Sequence, residues 1–162
     1  MIFVSIDDIS GNCTETGYED WILVDSFSIG MSASLTNQPN NAERTTGKVN
    51  IQEMSFSKTM DVASLLLAAA CAGNKGLGDV IVCVTRTEVD AEMLLVKYVL
   101  GNGLVSNIQT SGHGGGGLPN ESFSINFTSI TGQYTKQKED ATAEGNAVFG
   151  WDMVTGIVKA PA

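Results

Sequence analysis

A chain of 162 residues, 43% hydrophobic and 17% charged, suffices for one domain that buries roughly 70% of the surface its unfolded form exposes. Its formal net charge of −9 repels phosphate backbones and anionic bilayers, which argues against nucleic-acid binding and membrane insertion. Eighteen glycines against three prolines favour a turn-rich, all-β chain.

The opening Met1-Ile2-Phe3-Val4-Ser5-Ile6-Asp7-Asp8 has no basic leader region, and its apolar run ends at two acids. It therefore predicts a first strand rather than a signal peptide, and a chain made in the cytoplasm. From Trp21 to Met31 the residues Trp21, Leu23, Phe27, Ile29 and Met31 share one parity, with Ile22, Val24, Ser26 and Ser28 on the other. This period of two predicts one long strand with an apolar face and a face that turns polar midway. Ser32 to Lys48 is polar, rich in Asn and Thr, and is expected to form an extended loop.

Val49 and Ile51 are odd, whereas Met54 and Phe56 are even. A one-residue change of phase predicts a β-bulge near Gln52-Glu53. The same change recurs between Phe123, Ile125 and Phe127 and the even Ile130 and Tyr134. Long bulged strands are what a sheet needs to curve and close, so the expected fold is a small closed antiparallel β-barrel.

One helix interrupts the strands, over about residues 61–73. Its Val62, Leu65, Leu66, Ala69 and Ala70 fall on one helical face, expected to be the buried one. Asp61 or Ser64 can cap its start, and Gly73-Asn74 offers a left-handed stop. At this length the stretch is far too short to span a bilayer. Strands then follow over Asp79–Thr87, Met93–Leu100, Leu104–Thr110 and Ala147–Val154, about eight in all. A Gly-rich loop lies at Ser111–Asn120 and a polar stretch at Lys136–Asn146.

Chemistry-bearing patterns are broken ones. Thr45-Thr46-Gly47-Lys48 lacks the first Gly of a phosphate-binding loop, which would fall at Ala42, and Val49 replaces the hydroxyl residue after the Lys. His113 is the single histidine and has no nearby acid to orient it, so it reads as an exposed loop residue. Cys13, Cys71 and Cys83 are odd in number and widely spaced, which fits free thiols in a reducing compartment better than a disulfide framework or a metal site. There is no Gly-x-Ser-x-Gly elbow, and Asp7-Asp8 and Glu139-Asp140 read as solvated surface acids. No catalytic residue, metal ligand or cofactor site is expected.

Seven segments, in order, resemble the haemolysin-coregulated protein (Hcp) family, the tube subunits of bacterial type VI secretion. Ile6-Asp7-Asp8-Ile9-Ser10-Gly11 fits the approach to the family's Gly-Glu-Ser, with Asn12-Cys13 in place of Glu-Ser. Phe27-Ser28-Ile29-Gly30 is similar to its Trp-Ser-Trp-Gly, with both Trp substituted. Gly47-Lys48-Val49-Asn50-Ile51-Gln52-Glu53-Met54-Ser55-Phe56-Ser57-Lys58 resembles its Gly-Lys-Val-x-x-Gln-Asp-Leu-Ser-Phe-Thr-Lys. Ala70-Cys71 matches in the helix, although Leu65 stands where the family has Pro. Leu104-Val105-Ser106-Asn107-Ile108, Phe123–Phe127 with Tyr134-Thr135-Lys136-Gln137, and Gly150-Trp151-Asp152 complete the set.

The resemblance implies a β-barrel with one lateral helix, six copies of which form a ring around a channel, and rings that stack into a tube. It implies one domain over 1–162 without an appended effector domain, and export by the type VI machine. It places Leu35, Asn37, Gln38, Asn40, Glu43 and Arg44 in a loop that reaches neighbouring subunits, and Ser26 and Ser28 toward the lumen. The implied partners are other copies, a VgrG-type spike, sheath proteins and small effector proteins. A different class, a monomeric β-barrel module binding carbohydrate or peptide, would need a cluster of exposed aromatics. A secreted hydrolase would need a triad that the residues do not supply.

Overall fold

In a computed structural model the described residues are 1–36, 45–87, 92–137 and 143–160. The chain runs through β1 (Ile2–Ser5), β2 (Ile22–Leu23), β3 (Ser26–Ser28), β4 (Met31–Thr36), β5 (Thr45–Ile51) and β6 (Met54–Thr59) to the helix α1 (Ala63–Ala72). It continues through β7 (Val80–Thr87), β8 (Glu92–Gly101), β9 (Leu104–Ser111), β10 (Asn120–Asn126), β11 (Ser129–Gln137), β12 (Ala143–Asp152) and β13 (Ile157–Val158). Three antiparallel sheets result, ordered β13-β12-β11-β8-β7-β1-β2, β3-β6-β10-β9 and β4-β5.

The two larger sheets and α1 share one buried cluster. It takes Val4, Val82, Leu100 and Ile130 from the seven-stranded sheet, Met54, Phe56, Phe123 and Ile125 from the four-stranded one, and Leu67 from the helix. The mainly β class with a single helix agrees with expectation. No sheet of the described residues closes on itself, and the core is shared by the two larger sheets and the helix.

Three long strands expected from the phase of the apolar residues are instead broken at sheet corners. Trp21–Met31 contributes β2, β3 and β4 to three different sheets. Its buried parity is the even one at Ile22 and Val24, and Leu23 and Met31 are exposed. Gln52-Glu53 is not a bulge but the corner where the chain passes from β5 to β6, with the Gln52 N–H donated to the Gly30 carbonyl at 2.8 Å. Phe127-Thr128 is the corresponding corner between β10 and β11. A corner and a bulge both shift the inward parity by one, so the pattern alone cannot separate them.

The expected loop over Ser32–Lys48 is largely the β4–β5 hairpin, whose alternating small and β-branched residues suit a pleated ribbon. Similarly β11 and β12 extend into the polar stretch Lys136–Asn146 from both ends. The Gly-rich connection after Ser111 contains no strand until Asn120, as expected.

The interior holds one ionic cluster. Lys58, with a side chain 0% exposed, lies 2.9 Å from the Glu121 carboxylate, itself 1% exposed, and 2.6 Å from Asp61. Ser64 Oγ donates to Glu121 at 2.6 Å and accepts from Lys58 Nζ at 2.9 Å and from the Asp61 N–H at 3.0 Å. The Asp61 carboxylate in turn accepts the Ala63 N–H at 3.0 Å. The cluster therefore ties β6 and β10 to the first turn of α1, and both expected capping residues are used in it. At the other end the left-handed residue is Asn74, at φ 47°, while Gly73 stays in the helical region.

This cluster decides which way the helix turns. The expected inward stripe of Val62, Leu65, Leu66 and Ala69 faces out: Leu65 is 71% exposed, Val62 60% and Leu66 46%. Of that stripe only Ala70 is buried as expected, and Ala63, Ser64 and Leu67 are buried with it. The helix is apolar on every side, so burial cannot choose a face. Ser64, which must reach Lys58 and Glu121, chooses it.

Removing Lys58 leaves a buried carboxylate without its cation. Lys58→Met should cost about 3–5 kcal/mol in denaturant unfolding, and pairing it with Glu121→Leu should recover most of that loss. Leu67→Ala should cost about 2–5 kcal/mol, whereas Leu65→Ala should stay within about 0.5 kcal/mol. Equal losses at 65 and 67 would contradict the observed rotation of the helix.

Candidate assembly surfaces

Three strands of the four-stranded sheet carry the same tripeptide, Ser-Phe-Ser: Ser26–Ser28 on β3, Ser55–Ser57 on β6 and Ser122–Ser124 on β10. The register aligns them, with Phe27 opposite Phe56 and Phe56 opposite Phe123. The phenylalanines form an inward row, with Phe56 and Phe123 stacked at 4.9 Å between centroids. Successive strand residues point to opposite faces, so the serines all lie on the outer face.

That outer face consists of cross-strand rows. One runs Ser26–Ser57–Ser122–Gln109, the next Ser28–Ser55–Ser124–Asn107, and a third Thr59–Asn120–Ser111. None of these side chains carries a charge. The hydroxyls of Ser26 and Ser57 are hydrogen-bonded at 2.7 Å, and those of Ser55 and Ser124 at 2.9 Å. Glu53 borders the face and accepts from Ser106 Oγ at 2.7 Å and Asn126 Nδ2 at 3.0 Å. An open hollow of about 510 Å³ lies over its Ser57, Gln109, Ser111 and Ser122. In a chain of net charge −9, this is a flat, hydroxyl- and amide-paved surface with its acids at the margin or buried behind it.

Ser26 and Ser28, the residues expected to face a lumen, are both exposed and sit on this face. Of the expected loop residues, Leu35 lies on β4 opposite Thr46, and Asn37, Gln38, Asn40, Glu43 and Arg44 lie outside the described residues. The sequence signal for the rest of the face is the threefold Ser-Phe-Ser repeat, whereas nothing in the sequence marks Lys58 and Glu121 as a buried ion pair.

Elsewhere, His113 is exposed in its loop. Cys83 is buried beneath the Phe3–Tyr18 stack side of the sheet, and burial pushes its thiol up. The Thr85 and Thr87 hydroxyls hold the Glu92 carboxyl below its ordinary range. Among the described residues no group of three or more His, Cys, Asp or Glu could hold a metal ion, and no helix is long and apolar enough to cross a membrane. Among the described residues the exposed large apolar side chains that are aromatic are Tyr134 and Phe149. The Gly150-Trp151-Asp152 motif has a local reason: a side chain at Gly150 would strike the Lys159 carbonyl.

The fold and these surfaces define a mainly β protein with one helix that presents an extended, uncharged sheet face. Residues 3–134 match the family described as type VI secretion system effector, Hcp. The chain is 29% identical over 107 residues to the protein Hcp1 of Pseudomonas aeruginosa, an alignment covering 65% of this chain and 66% of that one. A solved structure described as a type six secretion system protein superposes with a TM-score of 0.91 at 25% identity, covering 98% of both chains. Hcp1 from Salmonella typhimurium superposes at 0.78 with 21% identity, over 98% of this chain and 97% of that one.

The chain belongs to the Hcp family of the type VI secretion system, whose members are structural, secreted tube proteins.

Proposed function

We propose that this chain is the ring-forming subunit of a type VI secretion tube: six copies close around a channel lined by the β3-β6-β10-β9 face, and rings stack through the β4–β5 hairpin and the segment that joins its arms. The observation that carries this reading is the uncharged serine and amide face. Any charge on a channel wall is repeated in every copy of every ring. A subunit of net charge −9 that keeps its carboxylates off such a wall avoids a repeated acidic field along the bore, and the rows of this face carry no charge.

On this reading the protein performs no catalysis. Its work is to pass or hold small effector proteins in the bore, and to meet a spike protein at the tube's tip and a sheath around its outside. Hydroxyls and amides exchange hydrogen bonds with water and with a passing polypeptide at little net cost, so the wall neither traps nor excludes cargo by charge. The hairpin candidates Leu35, Asn37, Gln38, Asn40, Glu43 and Arg44 serve ring-to-ring contacts, and Ser26 and Ser28 belong to the wall.

Site-directed labelling tests the placement of the face. In a Cys71→Ser background, Ser124→Cys in isolated rings should react fully with a small maleimide. A bulky polyethylene-glycol maleimide should stop well short of one label per subunit, because one attached polymer fills the bore. Full labelling by the bulky reagent in intact rings would put the face on the outside and contradict the proposal.

A further inference from the structure

Two apolar surfaces of this chain are left uncovered. The first is the outward stripe of α1, where Val62, Leu65 and Leu66 are 60%, 71% and 46% exposed. The second is one face of the β4–β5 hairpin. Met31 pairs with Ile51 and Ala33 with Val49, and directly opposed residues share a face of a ribbon. Ile51 is buried in the chain's own core, but Met31 is 50% and Val49 37% exposed, and Ala33 is exposed as well. The hairpin's apolar face thus starts in the core and runs out past its edge.

The two surfaces flank opposite edges of the same sheet. The helix packs along β9, one edge of the four-stranded sheet, and is pinned there by the bridge between Gly76 and Leu104. The hairpin leaves from β3, the opposite edge. They lie too far apart in the topology to cover each other within one molecule. In a head-to-tail ring, one edge of each copy meets the other edge of the next, so the two patches meet once per junction. Both are free of charged side chains, which matters in copies that otherwise repel each other.

We infer that the Val62–Leu65–Leu66 stripe of one copy is the socket for the Met31–Ala33–Val49 face of the next copy's hairpin. The inference rests on the ring reading above and adds which surfaces make the lateral junction. Such a contact buries apolar area that would otherwise be an aggregation hazard on a soluble subunit. It also explains why the helix can be apolar all round although only one side faces its own core.

The test uses Leu65→Glu and Val49→Glu in the full chain. Both positions are exposed, so each variant should unfold at the wild-type denaturant midpoint. Size-exclusion chromatography with light scattering should show wild-type rings, and each variant should need about tenfold more protein, or greater, to assemble. An equimolar mixture of the two variants should give a 1:1 dimer but no ring, since such a pair retains one intact junction. Wild-type rings together with unchanged assembly of either variant would overturn the inference and leave the helix stripe for an outside partner such as a sheath. Loss of rings in both variants without a dimer in the mixture would also overturn it, because the surfaces would then not pair with each other. A wild-type chain that stays monomeric would overturn the ring reading itself, and this inference with it.

Discussion

The row Phe27–Phe56–Phe123 is the constraint on which the rest depends. Three strands with the same Ser-Phe-Ser tripeptide keep all three rings in the core only in a pairing that preserves this parity, and the observed register sets the rings side by side. A slip of one residue would turn phenylalanine to solvent and serine to the interior on that strand. The core and the outer polar face are therefore set by the same register, and neither can change without the other. The wall-like character of the outer face is the reverse side of the requirement that the phenylalanines be buried.

One residue beyond β6's Ser-Phe-Ser, Lys58 continues the inward parity and brings a charge into the interior. That charge is met by Glu121 from β10 and Asp61 before α1, and among the described residues no buried side-chain nitrogen or oxygen lacks a partner. A buried ionic cluster of this kind contributes less to net stability than to uniqueness of geometry. Here the geometry it specifies is the rotation of α1. By drawing Ser64 inward it turns Leu65 and Leu66 outward, so an interior electrostatic contact shapes an exterior apolar surface.

Much of this was legible in the sequence and some was not. Strand positions from Val80 to Ser111 match closely because each strand stays within one sheet and is bounded by turn residues such as Gly101-Asn102-Gly103. The helix was legible from its Leu/Ala composition, its face was not, because polar satisfaction at Ser64 outweighed a stripe that had alternatives all round. The supposed bulge at Gln52-Glu53 and the unbroken strand from Trp21 to Met31 failed for one reason: parity records which way a side chain faces, and not which sheet the backbone has joined. Ser26 and Ser28, expected on the lumen side, lie on the polar face of β3, and the repeat that extends them to Ser55, Ser57, Ser122 and Ser124 needed the register to become a surface. Glu121 carried no signal, since a surface acid and a buried partner look alike until Lys58 is placed beside it.

Whether this chain closes into a ring whose bore is the serine face is decided by imaging the purified protein, with the subunit number counted from averaged views. Six-fold rings with the β3-β6-β10-β9 strands around the central opening are expected. Monomers at every concentration, or rings in which those strands face outward, would contradict that expectation.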